Sequence, residues 1–178
     1  MNIFAIEKDP RDCARSMVDK HVVKMILETC QLLSTAHRLI DGEMYIGKTK
    51  TGRNVKRWRL PDDREGVLYS ATHIHHPSAV WCRASNNNYN WLHCHLMALL
   101  DEYTYRYGKT HKCTDLAKAL YTPPHNIPVG YLTPVTPAMP DEYKVPGDSL
   151  ASYRNYYRIA KERMHKWTNR EPPEWLVA

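Results

Sequence analysis

In the stretch DKHVVKMILETCQLL, residues 19–33, a histidine, a lysine and a glutamate recur on one side. At 3.6 residues per turn His21, Lys24 and Glu28 fall in one polar sector, Glu28 two turns beyond His21. A carboxylate beside a lysine or histidine, shielded from bulk water, can activate water or support attack on a sugar or carbonyl carbon. Glu28, His21 and Lys24 are therefore the catalytic candidates. An exposed i,i+4 ion pair between Lys24 and Glu28 would use the same letters without chemistry, so shielding decides between the two readings.

A second concentration is HIHHPSAVWCRASNNNYNWLHCHL, residues 73–96, with five of the ten histidines and two of the five cysteines. His75, His76, Cys82, His93 and Cys94 offer enough donors for zinc. No H-E-x-x-H or P-C-x-x-C spacing dictates such a site, so no metal and no cofactor is expected. Two other readings stay open. Trp81, Trp91, Leu92, His95, Leu96, Leu99 and Leu100 can pack a core while the histidines bond helix ends. Alternatively His75, Arg83 and Asn87, with Tyr105 from the later segment LLDEYTYRYGKTHKC, orient a substrate in a polar pocket, since these groups suit base edges, phosphates and stacking.

Positive charge follows a pattern. Twenty-five Lys and Arg against nineteen Asp and Glu leave a net charge of +6, which favours a polyanionic partner. Residues 48–59 hold six basic side chains and no acid. Near the C-terminus Arg154, Arg158, Lys161 and His165 repeat at spacings of four, three and four. Lys50, Lys56, Arg57, Arg59, Arg154, Arg158 and Lys161 are the phosphate-binding candidates. The G-K-T at 47–49 lacks the glycine framework of a phosphate loop, which argues against ATP-dependent chemistry.

The elements that must position these groups are mostly helices. Val18, Val22, Met25, Ile26, Leu33, Ala36 and Ile40 repeat at the helical period and predict one helix over Cys13–Leu39. Residues 41–60 read as an irregular β-hairpin or basic loop. Pro77 suits a helix start, the asparagines at 86–88 a break, and a longer helix should run from Tyr89 to Tyr107 and end at Gly108. TDLAKAL, residues 114–120, suggests a further short helix. Residues 123–146 carry seven of the twelve prolines, so 121–147 is expected to be an ordered strap, followed by a C-terminal helix over 148–168. Together these give a mainly α protein, a single-domain helical bundle with a small hairpin and a proline-rich strap. The odd number of cysteines without CxxC pairs suggests a reducing compartment, and no apolar run is long enough for a membrane. The expected location is the cytoplasm of the producing or infected cell.

MVDKHVVKM at 17–25, after a short N-terminal segment, and LLDEYTYRYGKTHK at 99–112 resemble the pyrimidine-dimer DNA glycosylases. Those are small basic helical proteins that cleave the glycosylic bond at UV photoproducts through an amine nucleophile and then nick the strand. A chain opening in this way also resembles bacteriophage proteins. The resemblance implies a catalytic glutamate and arginines on the first long helix, and a processed N-terminal amine as nucleophile. Here the helix carries His21, Val22 and Lys24, with Glu28 one turn later than that pattern, and the bulk of Asn2 opposes removal of Met1. The expectation is a small DNA-acting enzyme, performing base excision as an N-glycosylase or base modification. The alternatives are a non-enzymatic protein that binds nucleic acid or a host protein, and a His/Cys zinc enzyme.

Overall fold

The computed structural model describes residues 1–177. Asp9 and Pro10 begin the first helix, α1 (Pro10–Ser16). The Asp9 carboxylate accepts from the N–H groups of Arg11 and Asp12 at 2.8 and 3.1 Å, and Pro10 sits where no donor is needed. The backbone then turns extended at Met17 and Val18, so the single helix expected over Cys13–Leu39 is two, and α2 spans Asp19–Asp41. The break is held by the far end of the chain. Val18 N–H donates to the Tyr157 hydroxyl at 2.8 Å, and Asp19 N–H to the Lys166 carbonyl at 2.9 Å.

β1 (Glu43–Lys48) and β2 (Asn54–Arg59) pair antiparallel in regular register, from Glu43 opposite Arg59 to Lys48 opposite Asn54. Gly52 supplies the positive φ of the turn, +80°. Four helices follow: α3 (Arg64–Val67), α4 (Pro77–Ala84), α5 (Asn86–Tyr107) and α6 (Thr114–Ala119). α2 packs on α4 and α5, and α1 on α5. Met25, Ile26, Leu32 and Leu33 of α2 meet the same core as Leu92, Leu96 and Leu99 of α5, all essentially without solvent exposure. Gly108 ends α5 in the left-handed region, as its position predicts.

The asparagines at 86–88 lie inside the first turn of α5; the break falls at Ser85, whose side chain caps Asn88 N–H at 3.1 Å. Their side chains instead clamp the strap. Asn86 Oδ1 accepts from Gly130 N–H, Asn87 Nδ2 donates to Gly130 carbonyl, and Asn88 exchanges bonds with Thr133. That explains how a proline-rich segment with few ladder bonds of its own stays ordered. After it, α7 spans Ser149–Ala160, and a 3₁₀ turn at Glu162–Met164 precedes α8 (Glu174–Val177). The chain leaves helical geometry there because residues 166–168 are drawn to the start of α2, where Thr168 donates twice to the Asp19 carboxylate. The fold is mainly α with one small hairpin, and no helix among the described residues is long and apolar enough to cross a membrane.

Candidate functional site

The N-terminal segment crosses α2 at Glu28. Asn2 fixes that crossing: its Oδ1 accepts from Ile3 and Phe4 N–H at 2.8 and 3.3 Å, and its Nδ2 donates to the Ala138 carbonyl at 2.7 Å. Phe4 has φ +55°, costly for a residue with a side chain, and is stacked on His21 with centroids 4.2 Å apart. The result is a convergence on one carboxylate. The Met1 ammonium lies 3.8 Å from Glu28 Oε2, Asn2 N–H donates to that oxygen at 3.1 Å, and Lys24 Nζ lies 3.3 Å from Oε1. The Glu28 side chain is only 13% exposed, which supplies the shielding that a surface ion pair lacks.

The loop before α4 carries further histidines. His76 caps α4 through Nδ1, which accepts from Ser78 N–H at 3.2 Å and so leaves the neutral ring's proton on Nε2. His73, with φ +48°, bonds Thr72 Oγ1 at 2.8 Å. Burial holds His76 below its ordinary range, assisted by the charges of the Met1 ammonium and His73 and opposed by Glu28. His76 is thus near enough to the amine and the carboxylate to feel their charges.

His21 is close by but differently engaged. Its Nδ1 lies 2.9 Å from the Tyr157 hydroxyl, and its pKa is pushed down to about 3 by burial first and then by the charges of Lys161 and Lys24. Lys161 Nζ stands over the rings of Tyr156 and Phe4, at 4.6 and 5.7 Å from their centroids, which brings it to the same segment. Of the rest of its row, Arg154 is half-buried, Arg158 is exposed and His165 bonds the Tyr157 carbonyl at 3.1 Å. Arg154 donates to the Ile6 carbonyl and pairs with Glu7, and Arg158 donates to the Trp175 carbonyl.

The residues expected to orient a substrate do not gather. His75 is exposed, Arg83 is half-buried with no acceptor for its buried Nη1 among the described residues, and Asn87 holds the strap. Tyr105 is 53% exposed beneath the Arg170 guanidinium. In the hairpin Lys50, Lys56 and Arg59 are exposed, while Arg57 lies half-buried across Gly47. The His/Cys-rich stretch disperses: His93 bonds the Ala117 carbonyl, His95 the Pro10 carbonyl, Cys82 is buried and Cys94 exposed. Among the described residues no three His, Cys, Asp or Glu side chains gather as metal ligands would.

Phe4 is the member that pattern reading passed over; Met1 and Asn2 entered only through the amine nucleophile that the resemblance implies, and His76 as a donor of the histidine-rich stretch. No curated protein and no solved structure matches this sequence. The family model for pyrimidine dimer DNA glycosylase matches residues 1–115, from the N-terminal segment through α5 to the start of α6, and so covers every group that converges on Glu28. The chain belongs to the pyrimidine dimer DNA glycosylase family.

Proposed function

We propose that this chain excises a pyrimidine base from UV-damaged duplex DNA, its N-terminal amine attacking the sugar C1′ while Glu28 manages the proton. The observation that carries the reading is the meeting of the chain's terminal amine with a shielded carboxylate, 3.8 Å apart, inside the region matched to the family. The position of Glu28 one turn late on its helix is accommodated because the N-terminal segment crosses α2 at that turn. Asn2 opposes loss of Met1, so the nucleophile is assigned to Met1. Were Met1 removed, the Asn2 nitrogen already lies 3.1 Å from the same carboxylate.

The amine must first lose a proton, and the Glu28 carboxylate is the adjacent acceptor. The neutral nitrogen forms a bond to C1′ as the glycosylic bond breaks, and the base leaves with the bonding pair and takes up a proton. Glu28 also faces the positive charge that grows on the sugar. Opening of the C1′–O4′ bond, with a proton to O4′, leaves an imine between the chain and C1′. Loss of a C2′ proton then expels the 3′ phosphate and nicks the strand. Lys24 and His21 hold Glu28 and Phe4 in place around this chemistry, and His76 Nε2–H offers a donor beside it. Lys50, Lys56, Arg57, Arg59 and Lys161 are the phosphate contacts, and DNA is the partner. The matched region, strap and C-terminal helix act as one domain.

Reduction with borohydride during reaction with a duplex bearing a cyclobutane pyrimidine dimer tests this. A covalent protein–DNA adduct on Met1 is expected by peptide mass spectrometry, and Glu28→Gln is expected to lower glycosylic cleavage by about two orders of magnitude or more. An adduct on a lysine side chain, or equal cleavage by the variant, would remove the assignment.

A further inference from the structure

The hairpin is a two-stranded ribbon with no covering layer. Met44, Tyr45 and Ile46 are 48, 37 and 59% exposed, and both faces meet solvent along most of its length. The register sorts its side chains. Tyr45, Gly47, Val55, Arg57 and Arg59 share one face, and Met44, Ile46, Lys48, Lys56 and Trp58 the other. On the first face the Arg59 guanidinium stands 4.9 Å from the Tyr45 ring centroid, and Arg57 lies along the ribbon over Gly47, where a Cβ would meet its Cδ at 2.9 Å. Lys50 and Arg53 occupy a tip ordered by Thr49 N–H to Arg53 carbonyl and Gly52 N–H to Thr49 carbonyl, each 2.9 Å. Glu43 is the one acid against six cations on residues 43–59.

We infer that this ribbon is a groove-binding arm that engages duplex DNA to one side of the lesion, an assignment that rests on the proposed function. A two-stranded ribbon fits the major groove, whose width is about 12 Å, and the charge complements phosphates on both walls. Its place on the molecule sets the distance. Thirteen residues of α2 separate Glu28 from Asp41, about 20 Å at 1.5 Å per residue. Laid along a duplex, that span is at most about six base pairs at 3.4 Å each. The root of the ribbon is locked to that end of α2: Arg38 donates to the Trp58 carbonyl at 3.0 Å. The arm therefore meets DNA beyond the lesion, as a positioning device apart from the reacting groups.

The test measures dissociation constants of the full chain for dimer-bearing duplexes whose arms are shortened, one side at a time, from about twelve to about four base pairs. Wild type is expected to lose affinity when one particular arm is shortened and to change little for the other. The variant with Lys50→Ala, Lys56→Ala and Arg57→Ala is expected to lose that asymmetry, and its fall in affinity between about 50 and 200 mM salt should be about 40-fold smaller than that of wild type. Equal arm dependence in wild type and variant, or a matching loss on single strands, overturns the arm while lesion cleavage leaves the proposed function standing. Absence of duplex binding by wild type overturns both. A tip-only variant, Lys50→Ala with Arg53→Ala, guards against misfolding and should show part of the same loss.

Discussion

Glu28 owes its surroundings to the backbone of four residues. Asn2 satisfies Ile3 and Phe4 N–H with one oxygen, and the positive φ of Phe4 turns the chain so that its ring covers His21 while the amine points back to α2. Strain of this kind persists only where the surroundings over-determine it, and it is found most often at functional sites. The amine is therefore placed by main-chain geometry, with no side-chain rotamer to adjust its reach. Adding one glycine before Met1 moves the terminal nitrogen by about 3.5 Å. Cleavage at a pyrimidine dimer is expected to fall about 100-fold, because a misplacement of about 1 Å can cost that much. Affinity for the duplex, measured alongside, should hold; a cleavage rate within twofold of wild type would show that another group is the nucleophile.

Arg38 is the joint between elements. Its side chain, 6% exposed, pairs with Glu65 and donates to the carbonyls of Trp58, Glu65, Leu68 and Tyr69 at 2.8–3.0 Å. One guanidinium thus ties α2 to the hairpin's root and to the segment that leads to His73 and His76. Arg38→Ala leaves four carbonyls short of a donor and is expected to destabilise the fold by about 3–5 kcal/mol. Arg38→Lys should recover only a fraction, since an ammonium cannot reach that many acceptors in a plane; urea denaturation measures both. Such joints mark where sequence reading stops. Gly108, Pro77 and the apolar stripes of α2 and α5 were legible because their signals are local. The break at Met17 was not, because its stabilising partners Tyr157 and Lys166 lie far along the chain. Periodicity showed that Arg154 and Arg158 share a face with Lys161, but not that Glu7 and Trp175 wait opposite the first two. The pairing of Glu28 with Lys24 was legible as spacing; the arrival of Met1, from 27 residues earlier, was not.

For the molecule as a whole, three buried histidines are held neutral chiefly by burial, and this sets how stability depends on pH. Tyr157 accepts from Val18 N–H, so its own proton goes to His21 Nδ1. Tyr89 donates to the Leu120 carbonyl, so His37 Nε2–H donates to Tyr89, and His37 Nδ1 accepts from Arg64 at 2.9 Å. Protonating either ring puts a second N–H against a donor. His95 donates from Nδ1 to the Pro10 carbonyl and is fully buried against Trp91. Burial is the first cause in all three, and it pushes His21 down to about 3 and His37 and His95 to about 4, against 6.5 for the free side chain. The unfolded chain therefore binds more protons than the folded one below pH 6.5. The stability these groups contribute is complete above that value and is lost as pH falls toward 4 and then 3. Three protons correspond to at most about 4 kcal/mol per pH unit in the middle of the window, a large share of a typical total of about 5–15 kcal/mol. Urea denaturation at pH 7.0 and 5.0 should thus show a marked loss at the lower pH. His21→Gln, which keeps an acceptor for Tyr157, should remove about a third of the slope. Equal stability at the two pH values would mean that these rings open to water before they protonate.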